Sequence, residues 1–230
     1  MTVMTTPAPR AIYLPSELAS YLRAASPVAT WAPSSRQVYG WIRRGLLAPS
    51  HRNAAETTIV VDFDDLVTGQ AISLLRAAGI SLRDIERAED CFANVYGISR
   101  PFAHRRFWTS GRDIFGEVDD LLITGTRGGQ VAMPFMKEGP HSIEARLAFD
   151  TRTGRPISWL PASHVELRPT TQSGQPCVSG TSILTTSIWR YARGCETLGM
   201  VAQRLRIDQS EVEAALAWEH ARAYGKRATA

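Results

Sequence analysis

From about residue 11 to 105 the apolar positions recur at helical spacing, broken by one short extended stretch. Pro15-Ser16-Glu17 opens a helix that sets Leu18, Tyr21 and Leu22 on one face. Ser34 with Gln37 three residues on is a capping box, and Pro33 leads into a second helix. There Val38, Trp41 and Ile42 face inward, and Gly45 ends the helix. Leu46-Leu47-Ala48-Pro49 and Thr57-Thr58-Ile59-Val60-Val61 predict two strands around a polar tip bearing His51, Arg52 and Asn53. A third helix starts near Asp64, turns Leu66, Val67, Ile72, Leu74 and Leu75 inward, and stops at Gly79. Ser81 with Asp84 opens a fourth, whose stripe of Leu82, Ile85, Ala88 and Phe92 predicts core or a dimer surface.

Beyond residue 105 the pattern is mixed. The run Ile143 to Phe149 alternates, a turn follows at Asp150 to Gly154, and Ile157 to Leu160 completes a predicted β-hairpin. Pro169 to Pro176 is a turn-rich connector, and helical periodicity returns from about residue 181. Thr197 precedes Leu198, Val201, Ala202 and Leu205, while Asp208 and Glu211 cap a helix bearing Val212, Ala215, Leu216 and Trp218. Helix, short turn, helix is the helix-turn-helix pattern. The chain therefore reads as α+β, mainly α with small β elements. A flexible tail (1–10) precedes a winged helix-turn-helix (11–105), a mixed middle region (106–167) and a C-terminal helix-turn-helix (168–230).

The net charge of +4 is mild, but its distribution is uneven. Arg10, Arg23, Arg36, Arg43, Arg44 and Arg52 face only Glu17 and Glu56 nearby. Cys91, Cys177 and Cys195 are odd in number and lack CxxC spacing, which points to free thiols in a reducing cytosol. With no apolar leader and no run of about 20 apolar residues, the expectation is a cytoplasmic chain without a membrane partner. Gly125-Thr126-Arg127-Gly128-Gly129-Gln130 lacks the Lys-Ser/Thr of a phosphate loop and predicts a tight turn. The histidines are scattered and no nucleophile elbow occurs, so neither an enzyme nor a cofactor or metal site is expected.

If Val38, Trp41 and Ile42 point inward, the opposite face of the second helix carries Arg36, Gln37, Gly40, Arg43 and Arg44. Arginines fork onto guanine or phosphate, glutamine can pair with adenine, and glycine adds no bulk, so this face suits a major groove or else is a solvated basic face. A ribbon tip with His51 and Arg52 behind it would add contacts to backbone phosphate. The order Tyr13 to Leu22, Trp41 to Pro49 and Leu75 to Ile85 resembles the MerR-type winged helix DNA-binding domain, over about residues 11 to 100. The chain departs from that family in a longer insert between the first two helices and in lacking the long dimerising helix with its sensor.

In the C-terminal unit the second helix carries Asp208, Glu211, Glu213 and Glu219, which repel phosphate, so dimerisation or partner binding is the expected role. The run Gly174 to Ile183, with Ile188-Trp189, Gly194 and Val212 to Leu216, resembles a small bacterial domain common in antitoxins beside PIN-domain ribonucleases. Ser182 and Leu184 stand where that signature has Arg and Pro. The whole arrangement resembles the larger VapB-type antitoxins. That resemblance implies a homodimer that binds double-stranded operator DNA and blocks a PIN-domain toxin. Arg222, Lys226 and Arg227, at the basic end, are the candidates to approach the toxin's carboxylates. The rival reading is a stand-alone MerR-like regulator sensing a small molecule through its middle region.

Overall fold

A computed structural model describes residues 11–26, 32–49, 58–97, 99–104, 107–110, 113–118, 121–126, 130–131, 141–142, 146–194 and 197–224. Strand β1 (Ile12–Tyr13) leads into α1 (Pro15–Ala25), whose Glu17 reaches back to accept a hydrogen bond from Leu14 N at 2.8 Å. Helix α2 (Ser35–Arg43) starts on the predicted box: Ser34 Oγ accepts from Gln37 N, and Gln37 Oε1 accepts from Ser34 N at 2.8 Å. Helices α3 (Phe63–Ala77) and α4 (Leu82–Tyr96) are capped by Asp62 and Ser81. The left-handed turn between them sits at Gly79, φ 83°. A short α5 (Pro101–His104) packs on α3 and α4. Leu18, Leu22, Val38, Trp41, Leu66, Val67, Ile72 and Leu75 bury together, whereas Leu74 is only half-buried.

The strand pairing behind α2 differs from the expectation. Residues 46–49 form bends and coil instead of a strand. Leu46 N donates back to Trp41 O at 3.0 Å, and Leu46 and Leu47 are both buried. Adjacent side chains that both point inward cannot follow the alternation of a pleated strand. Ala48 N donates to Asp65 Oδ1 at 2.9 Å, so this segment bonds to α3. The other expected strand is reduced to β2 (Val61–Asp62), which pairs antiparallel with β1, Tyr13 opposite Val61. The expected tip, with His51 and Arg52, lies outside the described residues.

The described residues from 107 to 167 are strands and turns. An antiparallel sheet of order β6-β5-β4-β3-β7 is built from β3 (Phe107–Ser110), β4 (Asp113–Val118), β5 (Leu121–Thr124), β6 (Gln130–Val131) and β7 (His141–Ser142). The expected hairpin is present as β8 (Leu147–Phe149) and β9 (Pro156–Ala162). Asp150 holds its turn by accepting from Thr153 N at 2.7 Å. Strands β10 (Val165–Leu167) and β11 (Cys177–Val178) extend the hairpin into a sheet of order β11-β10-β9-β8.

The stripe of α4 is core from Ile85 onward, and Leu82 at its start is half-buried. Ile85, Ala88 and Phe92 are fully buried, and Phe92 lies against Gly116 of β4 and Gly125 after β5. A Cβ at either glycine would overlap the Phe92 ring, so the two glycines form the slot that docks this sheet on the helix.

Gly174, at φ 78°, accepts a hydrogen bond from the Tyr13 hydroxyl at 3.0 Å, and a Cβ there would collide with Tyr13 and Ala11. The first glycine of the C-terminal signature thus fastens that region to β1. Helices α6 (Thr185–Arg193), α7 (Leu198–Leu205) and α8 (Gln209–Tyr224) follow. They share a small core of Val178, Ile188, Val201, Ala202, Val212 and Ala215. Trp218 leaves it for the principal core, which runs from Ala11 through Leu167. The fold is α+β, mainly α with small antiparallel sheets. Among the described residues no helix is long and apolar enough to cross a membrane.

Candidate nucleic-acid interface

Helix α2 turns Val38, Trp41 and Ile42 into the core, and this phase fixes what it shows to solvent. Arg36, Gln37, Tyr39, Arg43 and Arg44 are exposed. Gly40 sits among them, and a Cβ built on it meets nothing within 4 Å. Packing therefore does not require glycine here, although glycine in a helix interior costs roughly 0.5–1 kcal/mol relative to alanine. Tyr39, 42% exposed, is a member of this face that the sequence reading missed. Its signal was available: it is three residues from Arg36 and four from Arg43, on the side opposite Trp41.

Two of the expected contact residues are already engaged. Gln37 Oε1 accepts from Ser34 N at 2.8 Å and from Ser34 Oγ at 3.0 Å, so two-point pairing with adenine would require the cap to open. Arg44 Nη1 lies 2.9 Å from Glu86 Oε1 on α4, which offsets its charge. Arg36 and Arg43 form no ion pair among the described residues. The face available to an anion narrows to Arg36, Tyr39, Gly40 and Arg43.

Behind α2 lies a buried charged cluster. Arg100 Nη1 is 2.8 Å from Asp62 Oδ1 and 3.0 Å from Asp65 Oδ1, and Arg100 Nη2 is 4.0 Å from Asp64 Oδ2. Arg155 Nη2 approaches Asp64 from outside at 3.8 Å. Burial pushes Asp65 up to about 6, against the pull of the Arg100 guanidinium. Glu89, 9% exposed, is pushed up to about 8 by burial, with the charges of Asp90 and Asp65 adding to the effect. Among the described residues no three such side chains are placed to hold a metal ion; the guanidinium fills the middle of the cluster. Its role is positional, because Asp65 holds Ala48 and hence the exit from α2.

At the other end of the chain, Arg222 is tied inward. Its Nη1 donates to Glu219 Oε1 and Oε2 at 2.8 and 2.9 Å, and its Cζ lies 4.7 Å from the Tyr21 ring centroid. Glu219 also accepts from the Thr185 hydroxyl, and Trp218 stacks on Tyr21 at 6.2 Å. Arg222 therefore joins α8 to α1, a structural post that its place near the chain end did not suggest. Lys226 and Arg227 lie outside the described residues. Cys91 and Cys177 are free thiols, and burial pushes Cys177 up to about 11, which leaves it unreactive at neutral pH.

No family model matches the chain, and no curated protein matches it. Among solved structures it is similar to the crystal structure of Rv2018 from Mycobacterium tuberculosis, at 15% sequence identity and a TM-score of 0.62. The match covers 89% of this chain and 96% of that one, so the likeness extends over the whole fold and is a likeness of fold alone.

Proposed function

We propose that this chain is the antitoxin of a bacterial toxin–antitoxin pair, binding operator DNA through α2 and neutralising a PIN-domain ribonuclease. The observation that carries the DNA half is the outward face of α2, where Arg36 and Arg43 flank an exposed aromatic and a glycine with open space in front of it. A convex helix face of this kind fits a major groove: the guanidinium groups reach base edges or phosphates, and the missing side chain permits close approach. The toxin half is supported by the resemblance of residues 174–216 to antitoxin-associated domains.

Gly40 supplies a test with opposite signs. Gly40→Ala is expected to stabilise the fold by roughly 0.5–1 kcal/mol, because alanine is the better helix former and its Cβ meets no neighbour. The same methyl stands in the path of a groove, so affinity for the DNA upstream of the reading frame should fall. Calorimetry and fluorescence anisotropy read the two effects separately. A variant that is more stable and binds as tightly as the parent excludes Gly40 from the contact.

For the toxin half, the chain is co-expressed with the protein encoded by the adjacent reading frame, and its RNase activity is measured. Truncation after Tyr224 removes Lys226 and Arg227 and keeps Arg222 in place. Inhibition is expected to weaken on the order of tenfold, the worth of one charge-assisted hydrogen bond of about 1.5 kcal/mol, while operator binding stays. Unchanged inhibition removes the two terminal cations from the toxin contact.

A further inference from the structure

The sequence from 185 to 206 contains four arginines, Arg190, Arg193, Arg204 and Arg206, and a single acid, Glu196. All four arginines are exposed. The two helices meet through their last turns at one contact: Arg204 Cζ lies 5.4 Å from the ring centroid of Tyr191, the neighbour of Arg190. Ile188, Val201 and Ala202 turn the other sides of these helices into the small core, so the basic side can only face outward. Among the described residues no carboxylate pairs with Arg190, Arg193 or Arg206. Two carboxylates at the start of the next helix are turned to its own first turn, Glu211 accepting from Asp208 N and Glu213 from Gln209 Nε2, each at 2.8 Å.

We propose that these ends of α6 and α7 form a second contact with the phosphate backbone of duplex DNA. The proposal rests on the reading that the chain binds DNA through α2. Cations at helix C-termini favour the helix dipole, but that effect acts within the last turn of each helix separately. It does not account for the contact of Arg204 with Tyr191 of the other helix, beside the exposed Arg190. A polyanion with evenly spaced charges can pair with Arg190, Arg193 and Arg206 without a shaped pocket, and releases counterions as it does so. This contact carries no sequence information. It adds affinity while α2 selects the site, and it places the DNA-facing role of the C-terminal unit on α6 and α7, away from the acidic start of α8.

The test uses the full chain, a labelled duplex of arbitrary sequence, and anisotropy titrations between about 50 and 200 mM KCl. Each of Arg190→Gln, Arg193→Gln and Arg206→Gln is expected to flatten the slope of log affinity against log salt by about 0.9, and the triple variant by two to three units. The loss should be equal on arbitrary and operator duplexes. Arg193→Lys should retain the slope, because phosphate accepts a point charge. Slopes unchanged in all the glutamine variants overturn the proposal, and a fall in thermal midpoint alongside would assign the arginines to the helix dipole alone. Loss of binding to a polyglutamate peptide with the DNA slope intact would also overturn it, in favour of an acidic protein partner. An Arg36→Ala, Arg43→Ala variant run in parallel separates the two readings. If it loses slope and the C-terminal variants do not, α2 stands and this contact falls; if neither loses slope, both fall.

Discussion

Replacing Arg36 and Arg43 together with alanine should flatten the salt dependence of operator binding by about two units and leave the fold intact. Both side chains are exposed and form no ion pair among the described residues, so their loss should change stability by no more than about 0.5 kcal/mol. Each contact to phosphate releases about 0.9 of a counterion, which sets the slope change. An arginine that forks onto a base edge instead costs about 1–3 kcal/mol on the correct sequence and little elsewhere. Operator and arbitrary duplexes measured side by side therefore tell which kind of contact each arginine makes. Arg44 gives the internal comparison. Its guanidinium is held by Glu86, so Arg44→Ala should cost less than Arg43→Ala, and Glu86→Gln should tighten binding by releasing Arg44 toward the duplex. A double Arg36, Arg43 variant that folds and keeps the parent's affinity and slope removes α2 from the DNA-binding role.

Much of the helical part was legible because its signals are local. Ser34 with Gln37 and Ser81 with Asp84 mark helix starts within four residues, and the stripes Val38, Trp41, Ile42 and Ile85, Ala88, Phe92 fix which side is inward. The five-stranded sheet was missed for a reason that lies in its packing. Its inward positions against α4 include Gly116 and Gly125, chosen for the space that Phe92 needs, and a glycine contributes nothing to an alternating apolar pattern. The ribbon behind α2 was over-read because two apolar leucines in a row resemble a strand, whereas both drop into the core and the backbone bonds to Asp65. Arg222 and Arg100 show the limit of a local reading. The ring under Arg222 belongs to Tyr21, and the carboxylates around Arg100 begin at Asp62. Neither partner is within a few turns of chain, so a basic residue bound for the interior looks the same as a solvated one.

Arg100 is where the largest loss of stability is expected. Arg100→Met keeps much of the bulk and removes the one cation that, among the described residues, contacts Asp62, Asp64 and Asp65 together. Breaking a buried pair by deleting one partner costs about 3–5 kcal/mol, because the remaining charge stays desolvated. The cost should depend on pH, and its sign follows from the raised carboxyls. Asp65 and Glu89 titrate at about 6 and about 8 in the folded chain, above their ordinary values of 3.8 and 4.5. The folded state therefore holds protons that the unfolded state has released, and stability falls as pH rises across that window. The arginine opposes the upward shift of both groups, so its removal widens the window and steepens the fall. At about pH 5 Asp65 and Glu89 are largely protonated, so Arg100→Met should cost less there than at pH 8, where it should approach the full cost. Glu89→Gln should do the reverse, flattening the parent's pH dependence and raising its stability at pH 8, since an amide in that site needs no proton. Urea midpoints at the two pH values read all of this. An Arg100→Met penalty that is the same at both would mean that the guanidinium serves by shape and hydrogen bonding alone. A penalty that grows with pH would make the charge of Arg100 the element that allows three aspartates to converge behind α2 and fix the segment leaving it.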